Sequence, residues 1–297
     1  MIQLKARTIA GAAPGAKLLI TGGVHGDEFE PMIALRRLAA LVAPANLKGE
    51  LTIVPVVNEA AFKRRHRCAE DNLDLARTCP GNPNGSITEQ TAHALTGLIK
   101  QADYYIDLHT GGSTMSVFPL AGYVLHPDAR ILEQQRRMAR AFNLPLIWGT
   151  DWRLEGRSLS VARDAGVPAI YTEYQGGGRC NPDGVQAYVD GCLNVMGELG
   201  MIDRPDAPAG APLIVEDDRP GAGHMQIQNP APCSGFFEPS VELGGVIGEG
   251  ELLGTVCDPL GGNAAEVRSK NRGMVIVLRT FPRVEEGDAL AVVIDIA

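Results

Sequence analysis

The chain has 297 residues, 45% hydrophobic and 21% charged, which suits a soluble globular protein with one large domain or a domain and a smaller companion. Its 27 basic and 35 acidic residues leave a formal charge of −8, which gives no footing for nucleic acid or an anionic membrane, though a local arginine pair can still hold a small anion. Six cysteines without a C-x-x-C pair argue against a structural zinc knot and read as reduced thiols.

At the N-terminus Lys5 and Arg7 have no continuous apolar run behind them, and no stretch approaches ~18 uninterrupted apolar residues. Neither a signal peptide nor a membrane span is therefore expected, and the cytoplasm is the default location. Residues 17–21 predict a buried strand closed by Gly22-Gly23. A helix follows, with Met32, Leu35, Leu38 and Val42 at helical spacing. Residues 51–57 predict a second buried strand, with Pro55 inside it pointing to an edge position or a bulge. Ser86 and Glu89 fit a capping box opening a helix whose face carries Ala92, Leu95, Leu98 and Ile99. A third strand covers 104–108, helices cover 128–142 and 158–165, and a fourth strand covers 168–172. Over 182–200, Pro182 suits a first helical turn, and Val185, Val189, Cys192, Met196 and Leu199 line one stripe. Strands alternating with helices predict an α/β domain with a mixed, largely parallel sheet flanked by helices, spanning residues 1–205. Residues 203–212 hold three prolines and read as a linker. From 213 to 297 the short apolar runs and Gly-rich turns predict a small all-β domain.

Three clusters carry chemistry. His25 and Glu28 sit three apart where the first strand gives way to a helix. His109 follows the strand YYIDL, and Glu173 follows PAIYT. All lie at carboxyl ends of predicted strands, where open α/β sheets bind ligands. Two histidines and a glutamate make a catalytic zinc set that leaves a position for water, and a glutamate off the metal serves as general base. His25, Glu28 and His109 are thus the candidate ligands of one Zn2+, and Glu173 the candidate base. His66, His93, His126 and His224 lack such a setting and read as structural, with His93 expected at the surface. The stretch 58–81 is rich in arginine, whose fork suits a planar carboxylate, whereas Lys63, Arg64 and Arg65 read as a solvated basic loop.

GGVHGDE, DLHTGG and TEYQGGG, in that order with an arginine loop between the first two, resemble the motifs of the succinylglutamate desuccinylase/aspartoacylase family of the zinc carboxypeptidase clan. The resemblance covers most of the predicted catalytic domain. It implies a zinc-dependent deacylase acting on a small N-acyl amino acid, with His25, Glu28 and His109 as ligands and Glu173 passing a proton to the leaving amine. It further implies that Arg67 polarises the scissile carbonyl and that Arg77 grips the substrate carboxylate. Where the family has D-L-N-R, this chain has Asp74-Leu75-Ala76-Arg77, so one amide side chain is replaced by Ala76. The segment looks more like the bacterial deacylase branch that includes N-acetyl-diaminobutyrate deacetylases. The C-terminal unit resembles a lipoyl/biotinyl-type barrel-sandwich module without an attachment lysine hairpin, so a carried cofactor is not expected and a cover over the metal cleft is. Partners are expected to be a small-molecule N-acyl substrate, with neither nucleic acid nor membrane, and a homo-oligomer stays open. Two other readings stay open as well: a metallocarboxypeptidase acting on short peptides, and a metal-binding protein without turnover.

Overall fold

Residues 18–20 are apolar at successive positions because the strand there is covered on both faces. Leu18 and Ile20 point into one core and Leu19 into the other, all of them buried, as a period of two requires. A computed structural model describes residues 2–205, 210–225 and 228–296. In chain order it contains β1 (Arg7–Ala10), β2 (Ala13–Thr21), α1 (Phe29–Leu41), β3 (Lys48–Val54), α2 (Glu59–Arg64), α3 (Ile87–Ile99), β4 (Tyr104–His109), β5 (Met115–Val124), α4 (Ala129–Phe142), β6 (Leu146–Thr150), α5 (Ser158–Ala165), β7 (Ala169–Gly176) and α6 (Pro182–Glu198). After these come β8 (Leu213–Glu216), β9 (Gly235–Pro239), β10 (Val246–Ile247), β11 (Leu252–Cys257), β12 (Ala265–Arg268), β13 (Gly273–Arg279), β14 (Arg283–Val284) and β15 (Ala291–Ile294).

The large sheet runs β1-β3-β2-β4-β7-β5, with β3, β2, β4 and β7 parallel and β5 antiparallel to β7. Beyond β5 it forks. Leu120–Val124 pair with parallel β6, whose other edge takes β8, and Met115–Val117 pair with antiparallel β13. Helices α1, α4 and α6 pack together on one face, and α3 and α5 on the other. On the first face Leu35, Leu38, Phe142 and Val195 meet Ile20, Ile53 and Ile106; on the second, Leu95, Ile99 and Leu159 meet Leu19 and Tyr105. Removing one such side chain, Leu35→Ala for instance, costs about 2–5 kcal/mol.

The helix boundaries follow local chemistry. Ser86 Oγ accepts from Glu89 N at 3.4 Å while Glu89 Oε2 accepts from Ser86 N at 2.7 Å, completing the expected capping box. Asn181 caps α6 by accepting from Asp183 N at 2.9 Å, with Pro182 at the first helical position. The strand expected over 51–57 ends at Val54, and it lies between β1 and β2. Pro55 therefore marks neither an edge nor a bulge; it stands past the strand's end, where a missing N–H costs no ladder bond. His93 is half-buried on α3, closer packed than its helical position suggested.

The segment from 213 onward contributes to two sheets. β8, β10, β13 and β15 extend the large sheet, and β9, β11, β12 and β14 form a separate antiparallel sheet ordered β12-β11-β9-β14. Part of the Pro-rich 203–212 stretch lies outside the described residues. Among the described residues no helix is long and apolar enough to cross a membrane.

Candidate metal centre and substrate cavity

The turn after β2 brings His25 and Glu28 together, and Gly26 makes this turn possible. A Cβ on Gly26 would stand 2.1 Å from the Ala61 carbonyl carbon, so only glycine lets the turn press against α2. Glu28 occupies the N-cap of α1 without capping it. Its carboxylate turns instead to the histidines: Oε1 lies 2.6 Å from His25 Nδ1 and Oε2 3.1 Å from His109 Nδ1. His109 is the last residue of β4, beside Glu173 of β7 in the parallel register. Glu173 lies within its strand rather than at the end expected for it, because β7 runs on to Gly176.

Both imidazoles present the same nitrogen to Glu28, and each is backed by a carboxylate on the other side. His25 Nε2 lies 3.0 Å from Asp74 Oδ1, and His109 Nε2 lies 3.1 Å from Asp107 Oδ2. A carboxylate behind an imidazole fixes the proton on that nitrogen and leaves the opposite lone pair for a metal. Ligand atoms of His25, Glu28 and His109 fall within 4.8 Å of one another, a two-nitrogen, one-oxygen donor set of a kind that can hold a metal ion.

Electrostatics follow from this crowding. Burial opposes ionisation of Glu28, yet the two histidines hold its pKa well below the usual carboxylate range. Burial also opposes charge on His109, but Asp107 and Glu28 raise its pKa well above the ordinary value. Glu173 goes the other way. Burial pushes its carboxyl up to about 8, His109 nearby pulls it down less, and its Oε2 is buried without a hydrogen-bond partner.

Arg67 is held by Asp74, which accepts from its Nε at 3.2 Å and its Nη2 at 3.0 Å, while Nη1 lies 3.9 Å from Glu28 Oε1. Arg77 follows in the 3-10 turn 75–77 and sits beside Arg157, whose neighbour Gly156 packs against the Arg77 carbonyl. Burial and then the Arg157 charge lower the Arg77 guanidinium to about 10. Arg157 Nη2 is buried without a hydrogen-bond partner. Such a like-charge pair, drawn out of water, is relieved by an anion.

His25, Glu28, Arg67, Arg77, His109 and Glu173 all line one cavity of about 460 Å³. His66 stands exposed at its rim. His126 is buried and structural, with its Nδ1 accepting from Asp128 N at 2.9 Å. Lys63, Arg64 and Arg65 are exposed. Asp107, Arg157 and the C-terminal residues Arg279, Asp288 and Ala289 also line the cavity, and Asp74 supports His25 and Arg67 from behind, roles that no motif in the sequence marks. One signal was available: Asp107 precedes His109 by two residues on a strand, which puts both on one face.

A sequence model described as the succinylglutamate desuccinylase/aspartoacylase catalytic domain matches residues 14–199. The chain is 30% identical to an N-alpha-acetyl-L-2,4-diaminobutyric acid deacetylase of Halomonas elongata, covering 97% of this chain and 85% of the relative. The fold is similar to a succinylglutamate desuccinylase/aspartoacylase from Rhodobacter sphaeroides, with TM-score 0.88, 27% identity, and 100% and 90% of the two chains covered. It is also similar to the product-bound ectoine utilization protein EutE (DoeB) from Ruegeria pomeroyi, with TM-score 0.86, 28% identity, and 97% and 87% covered. The chain belongs to the succinylglutamate desuccinylase/aspartoacylase family.

Proposed function

We propose that the protein is a zinc-dependent deacylase that hydrolyses the amide bond of a small N-acyl amino acid. The observation that carries this reading is the matched pair of imidazoles, each offering Nδ1 beside Glu28 and each backed by a buried carboxylate at Nε2. His25, Glu28 and His109 would hold the ion. Zinc, when bound, would polarise the amide carbonyl and lower the pKa of the attacking water.

The remaining work falls to the chain's own side chains. Glu173 takes a proton from the water as it adds to the carbonyl carbon. It returns that proton to the amine nitrogen as the C–N bond breaks, leaving a carboxylic acid and a free amine. A carboxyl held near 8 by burial suits both transfers. Arg67, fixed through Nε and Nη2 by Asp74, has Nη1 free of that bond and directed to the metal side, where it donates to the developing oxyanion. Arg77 and Arg157 receive the substrate carboxylate.

The acyl-amino-acid class is supported by the family and by the diaminobutyrate deacetylase relative. The test is release of amine from a panel of N-acyl amino acids, including Nα-acetyl-2,4-diaminobutyrate, Nα-acetylnorvaline and Nα-acetylaspartate, before and after chelation. We expect chelator-sensitive release restored by zinc. Cleavage of peptides from the C-terminus, with the acylated panel untouched, would move the protein to the carboxypeptidases.

A further inference from the structure

We infer that Asp288, carried by the C-terminal segment, selects the substrate's side chain by accepting a hydrogen bond from a terminal ammonium group. This rests on the deacylase reading above. The inference starts from the charge on the cavity walls. One wall carries Arg67, Arg77 and Arg157 against Asp74. The other is a continuous run of contacts. Asp27 Oδ2 accepts from Ser113 N at 2.9 Å and Ser113 Oγ at 2.7 Å; Thr114 O accepts from Thr280 N at 3.0 Å; and Met115 pairs with Arg279 across the β5–β13 ladder. Arg279 Nη2 then donates to Asp288 Oδ2 at 2.7 Å. This run holds two carboxylates, Asp27 and Asp288, and one guanidinium, Arg279, so it carries a net negative charge. Asp27 also lies near enough to Arg67 to favour its charged form, which leaves Asp288 as the carboxylate away from the arginines of the first wall.

Asp288 is built to receive a donor. Its Oδ2 takes both Arg279 Nη2 and Glu285 N, the latter at 3.0 Å, and its backbone carbonyl takes Ala231 N at 2.8 Å. Position and rotamer are thus fixed, while Oδ1 makes no hydrogen bond among the described residues. The side chain lines the metal cavity and is 35% exposed, so a ligand can reach that oxygen. Asp27 adds a second, independent sign. It is 6% exposed, lines the same cavity, and its Oδ1 is without a hydrogen-bond partner. Gly112 leaves it room, since a Cβ there would stand 2.9 Å from Oδ2. A substrate anchored by its carboxylate at the arginines then meets a negative wall with its side chain. An ammonium at the end of a short side chain completes Asp288 Oδ1; a carboxylate side chain is repelled.

The experiment uses the zinc-loaded full chain with Nα-acetyl-2,4-diaminobutyrate and Nα-acetylnorvaline, which differ by an ammonium in place of a methyl. Wild-type kcat/KM is expected to favour the cationic substrate by about tenfold or more, the weight of one charge-assisted hydrogen bond. Asp288→Asn is expected to collapse that ratio towards one, mainly through KM. An unchanged ratio in the variant overturns the assignment, and so does a wild-type preference for Nα-acetylnorvaline or Nα-acetylaspartate, which leaves the deacylase reading standing. Should no acylated compound be cleaved, the deacylase reading fails. Calorimetric binding of free 2,4-diaminobutyrate, weakened by Asp288→Asn, would still support Asp288; equal binding would overturn it.

Discussion

Asp107 is the side chain on which the metal centre can be tested without touching a ligand. It is 1% exposed and surrounded by donors: Thr21 Oγ1 reaches Oδ1 at 2.7 Å, and Oδ2 faces both Ser158 Oγ and His109 Nε2, the latter at 3.1 Å. Asp107→Asn keeps the shape and removes the charge. If the amide oxygen takes the Oδ2 place, the NH2 faces Thr21, whose hydroxyl can turn to accept it while donating to Tyr105 Oη at 2.8 Å. The network therefore survives, and the loss falls on His109, which keeps its orientation but not the negative charge that makes Nδ1 a strong ligand. Loss of such a partner weakens metal binding about 10–100-fold, or about 1.4–2.8 kcal/mol at 1.4 kcal/mol per factor of ten. Competition against a chromophoric chelator measures it, with thermal unfolding of the metal-free protein as the control on folding. Zinc affinity within about twofold of wild type, in a folded variant, would refute the role given to Asp107.

Other substitutions separate the remaining roles. Glu173→Gln is expected to lower kcat by about 10²–10⁴-fold with zinc content unchanged by elemental analysis; ordinary turnover would remove Glu173 as the base. Arg77→Ala is expected to raise KM more than it lowers kcat, since a carboxylate anchor acts on ground and transition states alike; the reverse pattern would move Arg77 into the chemistry. A pH test addresses β8, where Glu216 accepts from Arg136 Nε at 2.8 Å and Tyr123 Oη at 2.7 Å. Arg136 holds the Glu216 carboxyl below its ordinary pKa. Its contribution is therefore present above the unfolded value and lost as pH falls through the folded one. Glu216→Gln should destabilise by about 0.5–1 kcal/mol at pH 7 for so exposed a pair, and by less below about pH 4. A difference in unfolding temperature that does not shrink with acid would sink this account.

The strands and helices that alternate along the first 200 residues were legible because their periods differ and their caps are local, as at Ser86 and Pro182. β5 was not. It contains Pro119 and Gly122, and its pairing with β7 shifts register between Val117 and Leu120, so the sequence interrupts itself where the strand does not. β6, five residues long and fully buried, offered no alternation to read. In the candidate site, His25, Glu28, His109 and Glu173 were visible because each stands in a Gly-flanked motif beside a strand. Asp74 and Arg157 were not, since what gives them a role is contact across the fold: Asp74 meets His25 from 49 positions away. The C-terminal wall was hidden for the same reason, there being nothing near Asp288 in sequence that announces a cavity.

The pairing of Val277–Arg279 with Met115–Val117 has a consequence for how this enzyme scaffold can change. Those strand pairs tie residues 277–279 to the rim of the cavity that holds the candidate metal ligands, so a chain cut after residue 205 would leave the 115–117 edge with unsatisfied donors and acceptors, an invitation to aggregation. The same attachment separates two kinds of variation. His25 and His109 are tied together through Glu28, whereas the turn 285–289 reaches the cavity from another part of the chain and can be altered while that candidate ligand set stays in place. If Asp288 has the role inferred above, side-chain preference can be changed within residues 285–289 with residues 25–28, 109 and 173 left untouched.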